Sequence, residues 1–157
     1  MSRRTMLRIS LGVFALTLYL ANSDRVRCQT AQQTEPRTII LELRDGITGW
    51  PIWRESPNIR VGSNGGGSNP MTNWKGQVRV SIERGGPQEV YVLPNWYFDC
   101  RFSSDVDSGS QIGYSVEQIL EQGIVSVNKC GRLRVKPVPG VLILYVRART
   151  PIEAFLL

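Results

Sequence analysis

Gln77-Val78-Arg79-Val80-Ser81-Ile82-Glu83, then Gly85-Gly86-Pro87, then Gln88-Glu89-Val90-Tyr91-Val92-Leu93 is the stretch that decides the fold class. The first run alternates: Val78, Val80 and Ile82 share one face and Arg79 and Ser81 the other, the period of a half-buried strand. Gly85-Gly86-Pro87 is turn chemistry, and the second run is again rich in β-branched and aromatic residues. The pattern predicts two strands joined as a hairpin.

The same reading extends in both directions. Upstream, Ile39, Leu41 and Leu43 fall on one face of an extended segment over residues 38–44. Asp45-Gly46 and Thr48-Gly49 punctuate a turn, and Pro51, which has no N–H, disfavours a central strand directly after it. Residues 58–61 read as a short strand, and residues 62–70, with Gly65-Gly66-Gly67, as a flexible loop. Downstream, Val141-Leu142-Ile143-Leu144 is apolar on both faces, as in a central strand covered on both sides. One segment, residues 114–123, breaks the β period. Ser115 is placed as N-cap with Gln118 as capping-box partner, Tyr114 and Ile119 as a hydrophobic staple, and Gly123 as the stop. Short strands with Gly and Pro turns predict an all-β chain folded as a β-sandwich with a short helical element.

The first 23 residues have a different character. Arg3, Arg4 and Arg8 precede an apolar run over residues 9–21, and Ala21-Asn22-Ser23 follows, the order of an export signal. Thirteen apolar residues fall short of the roughly 20 a membrane-spanning helix needs. Ser2-Arg3-Arg4-Thr5-Met6-Leu7-Arg8 is close to the twin-arginine pattern, which implies a bacterial source; an ordinary secretory signal containing an Arg pair is the alternative. Cleavage falls after Ser23 or after Ala31. Residues 24–36 are polar and aperiodic and read as a disordered tether. Residues 37–150 form the domain, and 151–157 an apolar tail. The expected localisation is the periplasm or the cell exterior, with no stable membrane span after cleavage.

Composition narrows the partners. The formal charge is +6, but the first 23 residues hold three of the 19 Lys and Arg and none of the 13 Asp and Glu. The remaining excess of three positive charges is scattered, without a basic run, which argues against a nucleic-acid partner. Of three cysteines, Cys100 and Cys130 fall within the domain and are expected to pair in an oxidising compartment. Cys28 lies in the leader or tether.

Leu43-Arg44-Asp45-Gly46-Ile47-Thr48-Gly49-Trp50-Pro51-Ile52 resembles the opening of carboxypeptidase regulatory-like domains, a strand followed by an Asp-x-x-Thr-Gly-x-Pro-Ile/Leu turn. Thr72-Asn73-Trp74-Lys75-Gly76-Gln77-Val78 is similar to the next element of that family. The resemblance covers roughly residues 37–93 and implies a transthyretin-like β-sandwich of about seven strands. Residues 95–136 read as an insertion. Leu93-Pro94-Asn95-Trp96-Tyr97-Phe98-Asp99-Cys100-Arg101 and Asn128-Lys129-Cys130-Gly131 look similar to a group of uncharacterised exported bacterial proteins. The resemblance implies a non-catalytic accessory module.

The chain has no histidine. Ser-His-Asp triads, Cys-His pairs and His-based zinc sites are therefore excluded. Carboxylate-only catalysis remains open to Asp45, Glu83, Glu89, Asp99, Asp105, Asp107, Glu117 and Glu121, with no spacing that singles out a pair. Asp105-Val106-Asp107-Ser108-Gly109 has only a faint likeness to a calcium loop and lacks the closing Glu. No metal and no cofactor is expected. The binding signal is aromatic: Trp50, Trp53, Trp74, Trp96 and Tyr97 fall in or beside turns, where a ring could stack on a sugar or a partner protein. The alternative is that Trp50 and Trp96 cap the ends of the core. The expectation is an exported, non-catalytic binding or structural module with a protein or glycan partner. A carbohydrate-binding module using the loop tryptophans is the first alternative and a carboxylate-dependent hydrolase the second.

Overall fold

The computed structural model describes residues 36–83, 85–103 and 112–150. The leader with its cleavage positions, Cys28, the tether before Pro36, Asp105, Asp107 and the tail 151–157 lie outside the described residues.

The described chain is mostly β, with its strands in two sheets. The elements are β1 (Arg37–Asp45), β2 (Asn58–Val61), β3 (Gly67–Ser68), β4 (Gln77–Ile82), β5 (Glu89–Leu93), β6 (Tyr97–Asp99), β7 (Gly113–Ser115), α1 (Val116–Glu121), β8 (Ile124–Val125) and β9 (Val141–Ala148). The first sheet runs β4-β1-β9-β6, with β8 also on β9; the second runs β3-β2-β5-β7. β1 lies antiparallel to β4 and parallel to β9.

Alternation explains why the sheets face a common interior. Ile39, Leu41 and Leu43 of β1, Val78, Val80 and Ile82 of β4, and Leu142, Leu144 and Val146 of β9 are buried on one face of the first sheet. Ile59, Val90, Val92 and Tyr114 of the second sheet join the same apolar cluster, with Val116 and Ile119 of α1. β9 is central and covered on both sides, as its sequence predicts: Ile143 and Tyr145, on its other face, are buried as well.

The expected hairpin is not formed. β4 pairs with β1, whereas β5 pairs with β2 and β7, so the connection at Gly85-Gly86-Pro87 carries the chain from one sheet to the other. Both arrangements place Val78, Val80, Ile82, Val90 and Val92 inward, so alternation alone does not distinguish them. The glycine-rich loop after β2 also contains β3, paired with β2 at Ile59 and Arg60.

The segment 95–136, read as an insertion, supplies strands to both sheets: β6 and β8 pair with β9, and β7 pairs with β5. The Ser115 hydroxyl accepts from the Gln118 N–H at 3.3 Å and caps α1, as expected. The segment is tied by the Cys100–Cys130 disulfide, with Cα atoms 5.3 Å apart. Arg101, next to it, is buried. Its Nε donates to both Asp99 oxygens, its Nη1 to the Tyr114 hydroxyl at 3.2 Å and its Nη2 to the Val92 carbonyl at 2.6 Å. Burial disfavours the guanidinium charge, but Asp99 and Tyr114 outweigh that and raise the Arg101 pKa above its ordinary value. Burial also raises the Tyr114 phenol above its ordinary 10.0, against the pull of Arg101.

Candidate functional site

Two turns build the site. In the first, the Asp45 carboxylate accepts from the Ile47 and Thr48 N–H groups at 3.0 and 2.7 Å and from the Thr48 hydroxyl at 2.9 Å. The Gly49 N–H donates to the Asp45 carbonyl, and the Asp45 N–H to that of Trp50. In the second, Asn73 Oδ1 accepts from the Lys75 and Gln77 N–H groups at 2.9 and 3.0 Å. An Asn side chain bonded to backbone two residues on is a local turn device. Gly76 closes this turn at φ +71, where a Cβ would stand 2.5 Å from the Leu43 carbonyl oxygen.

The two turns are stitched together. The Leu43 N–H donates to the Gly76 carbonyl and the Ile52 N–H to that of Leu43. The Thr72 hydroxyl donates to the Ile52 carbonyl at 2.8 Å and accepts from the Glu55 N–H at 2.9 Å. Trp74 and Lys75 are thereby carried on a turn anchored by hydrogen bonds on both flanks.

Trp74 lines a groove of about 510 Å³ with Met71, Lys75, Gln77, Arg79 and Ile40. An adjoining hollow of about 240 Å³ shares Trp74, Lys75 and Gln77 and adds Glu42, Arg44 and Pro51. The floor is the outward face of β1 and β4, where Ile40 lies opposite Arg79 and Glu42 opposite Gln77. The Lys75 ammonium sits 4.9 Å from the Trp74 ring centroid. The Glu42 carboxylate is engaged on both oxygens, by Arg44 Nε at 2.5 Å and by Gln77 Nε2 at 2.8 Å.

Of the five aromatic candidates, Trp74 alone lines this groove. Trp50, Trp53, Trp74 and Trp96 are 74%, 56%, 72% and 73% exposed, so Trp50 and Trp96 do not cap the core. Trp53 lies under the Arg54 guanidinium, 4.3 Å from the ring centroid. Tyr97 opens β6 directly after the bend at Asn95 and Trp96, and is partly buried against the core rather than exposed.

Four of the six described candidate carboxylates have structural partners. Asp45 organises its turn, Glu89 accepts from the Tyr91 hydroxyl at 2.5 Å, Asp99 pairs with Arg101, and Glu117 pairs with Arg37 at 3.0 Å. Glu83 and Glu121 are exposed. Among the described residues no group of three or more His, Cys, Asp or Glu gathers as a metal-ligand set. No described helix is long and apolar enough to cross a membrane.

Two acidic residues escaped the sequence reading. Glu42 occupies an outward position between Leu41 and Leu43, and its cross-strand partner Gln77 becomes visible only once β1 and β4 are in register. Glu55 is 1% exposed, and its Oε1 accepts from the Asn95 and Trp96 N–H groups at 2.7 and 3.1 Å. No local signal marks Glu55, because its partners lie some forty residues away. No family model matches the chain, and no curated protein matches it.

Proposed function

We propose that this chain is an exported, non-catalytic β-sandwich module, of the transthyretin-like kind its turns resemble, that binds a protein or glycan through the Trp74 groove. One observation carries this reading: a tryptophan ring is left largely exposed on a hydrogen-bonded turn, beside a groove. A large exposed aromatic contributes little to stability and is well suited to contact. Pre-ordering of the turn lowers the entropy lost when a partner is bound. The disulfide fits an oxidising compartment. The carbohydrate alternative is favoured by the same ring. The hydrolase alternative has less support, because none of its described candidate carboxylates lines the groove.

The test is capture from the native cell envelope with the wild-type chain, Trp74→Ala and Trp96→Ala as baits. A partner retained by wild type and Trp96→Ala but lost with Trp74→Ala supports the reading. Capture indifferent to Trp74 overturns it.

A further inference from the structure

We infer that the Trp74 groove takes an acidic saccharide, an inference that rests on the groove being the binding surface. Three features of the groove point the same way. The Trp74 ring is 72% exposed and offers an apolar face of the kind that stacks on the C–H face of a sugar ring. Lys75 and Arg79 line the same groove, one at the ring and one on the outward face of β4. Among the described residues no Asp or Glu lines the larger groove, and the neighbouring Glu42 is neutralised by Arg44 and bonded by Gln77.

Among the described residues an anionic sugar therefore meets two cations and no free opposing carboxylate. Arginine presents a planar fork that matches a carboxylate or sulfate, and lysine supplies a compact charge beside it. A neutral sugar would use the ring but leave both cations without a ligand partner. The groove volume falls within the range of about 300–1,000 Å³ usual for small-ligand sites, enough for a short stretch of a polysaccharide.

The experiment measures binding of the purified chain to dextran, dextran sulfate and polygalacturonate, with oligothymidylate as a non-saccharide polyanion. Trp74→Ala, Trp96→Ala and the double variant Lys75→Gln/Arg79→Gln are compared with wild type, all four checked for folding by circular dichroism. Expected is binding to at least one acidic polysaccharide at least tenfold tighter than to dextran. That preference weakens when salt is raised from about 0.05 to 0.5 M, because exposed charges are screened. Trp74→Ala loses tenfold or more, the double variant loses the preference for the acidic polymer, and Trp96→Ala matches wild type.

Equal binding of dextran and the acidic polymers overturns the charge assignment while leaving the groove as a glycan site. Failure to bind either acidic polysaccharide, or tighter binding of oligothymidylate, overturns the saccharide assignment. The binding-module reading then survives only if a captured partner still depends on Trp74.

Discussion

The Arg101 guanidinium donates to the Val92 carbonyl at 2.6 Å, so the ion pair it forms with Asp99 ties one sheet to the other. Asp99 ends β6 in the first sheet, while Val92 and Tyr114 belong to β5 and β7 in the second. The pair is almost entirely removed from water, at 1% and 5% side-chain exposure. A buried charge in that position is tolerable only while each partner satisfies the other. The disulfide half Cys100 lies between them in sequence, so covalent and ionic ties converge where the two sheets are joined.

Asp99→Ala leaves Arg101 as an unpaired buried cation. The expected loss is about 3–5 kcal/mol, the usual cost of breaking such a pair from one side. A urea titration reads it as a lower midpoint with an unchanged slope. A loss below 1 kcal/mol would mean the guanidinium reaches water in the native protein.

Tyr114 supplies a pH dependence. Its folded pKa is raised above 10.0 mainly by burial, so the fold favours the neutral phenol. That contribution is fully present below about 10 and is lost as the pH rises through the higher folded value. The stability difference between wild type and Tyr114→Phe should stay constant up to about pH 10 and shrink above it. A difference that shrinks in the neutral range would contradict this assignment.

Gly76→Ala and Gly49→Ala should differ, although both glycines hold positive φ. At Gly76 the new Cβ meets the Leu43 carbonyl oxygen at 2.5 Å, a backbone atom within the stitched turns. At Gly49 the nearest atom is Leu133 Cδ1 at 3.3 Å, the end of a side chain that can give way. Strain at such a φ costs about 1–3 kcal/mol, so Gly49→Ala should fall within that range and Gly76→Ala above it. Equal melting temperatures for the two variants would refute the steric argument.

Reduction of Cys100–Cys130 releases a loop closed across a sequence separation of 30. The chain-entropy model assigns it about 3–4 kcal/mol. Urea unfolding with and without reductant measures the loss, and thiol labelling of the denatured, oxidised protein checks the pairing. Labelling of both Cys100 and Cys130 without reductant would show that the bond is absent in solution.

Much of the strand content was legible because alternation is a local signal. Ile39, Leu41 and Leu43, then Val78, Val80 and Ile82, declare their buried face from spacing alone, and Val141 to Leu144 declare a strand covered on both sides. Ser115 and Gly123 mark the helix because caps act within one turn. The pairing of Cys100 with Cys130 was legible by elimination, since only two cysteines lie in the body of the chain.

What the sequence did not carry was partnership at a distance. Residues 77–93 spell two strands and a turn, but inward alternation is the same whether the strands pair or part to separate sheets, so the switch at Gly85-Gly86-Pro87 is decided by what else packs on the core. Trp50, Trp74 and Trp96 all read as turn aromatics, yet of the three only Trp74 lines the groove on β1 and β4, because the outward faces of those strands meet beside it. The buried Glu55 and the inter-sheet reach of Arg101 depend on groups far along the chain. The sequence by itself therefore determined β1, β2, β4, β5, β9 and α1, and the buried faces of the longer strands, which follow from backbone period and local hydrogen bonding, but not the short strands β3, β6, β7 and β8. The tertiary structure alone decided which strands share a sheet, which carboxylates are consumed by the fold and where a ring and two cations meet, because those depend on contacts between distant segments.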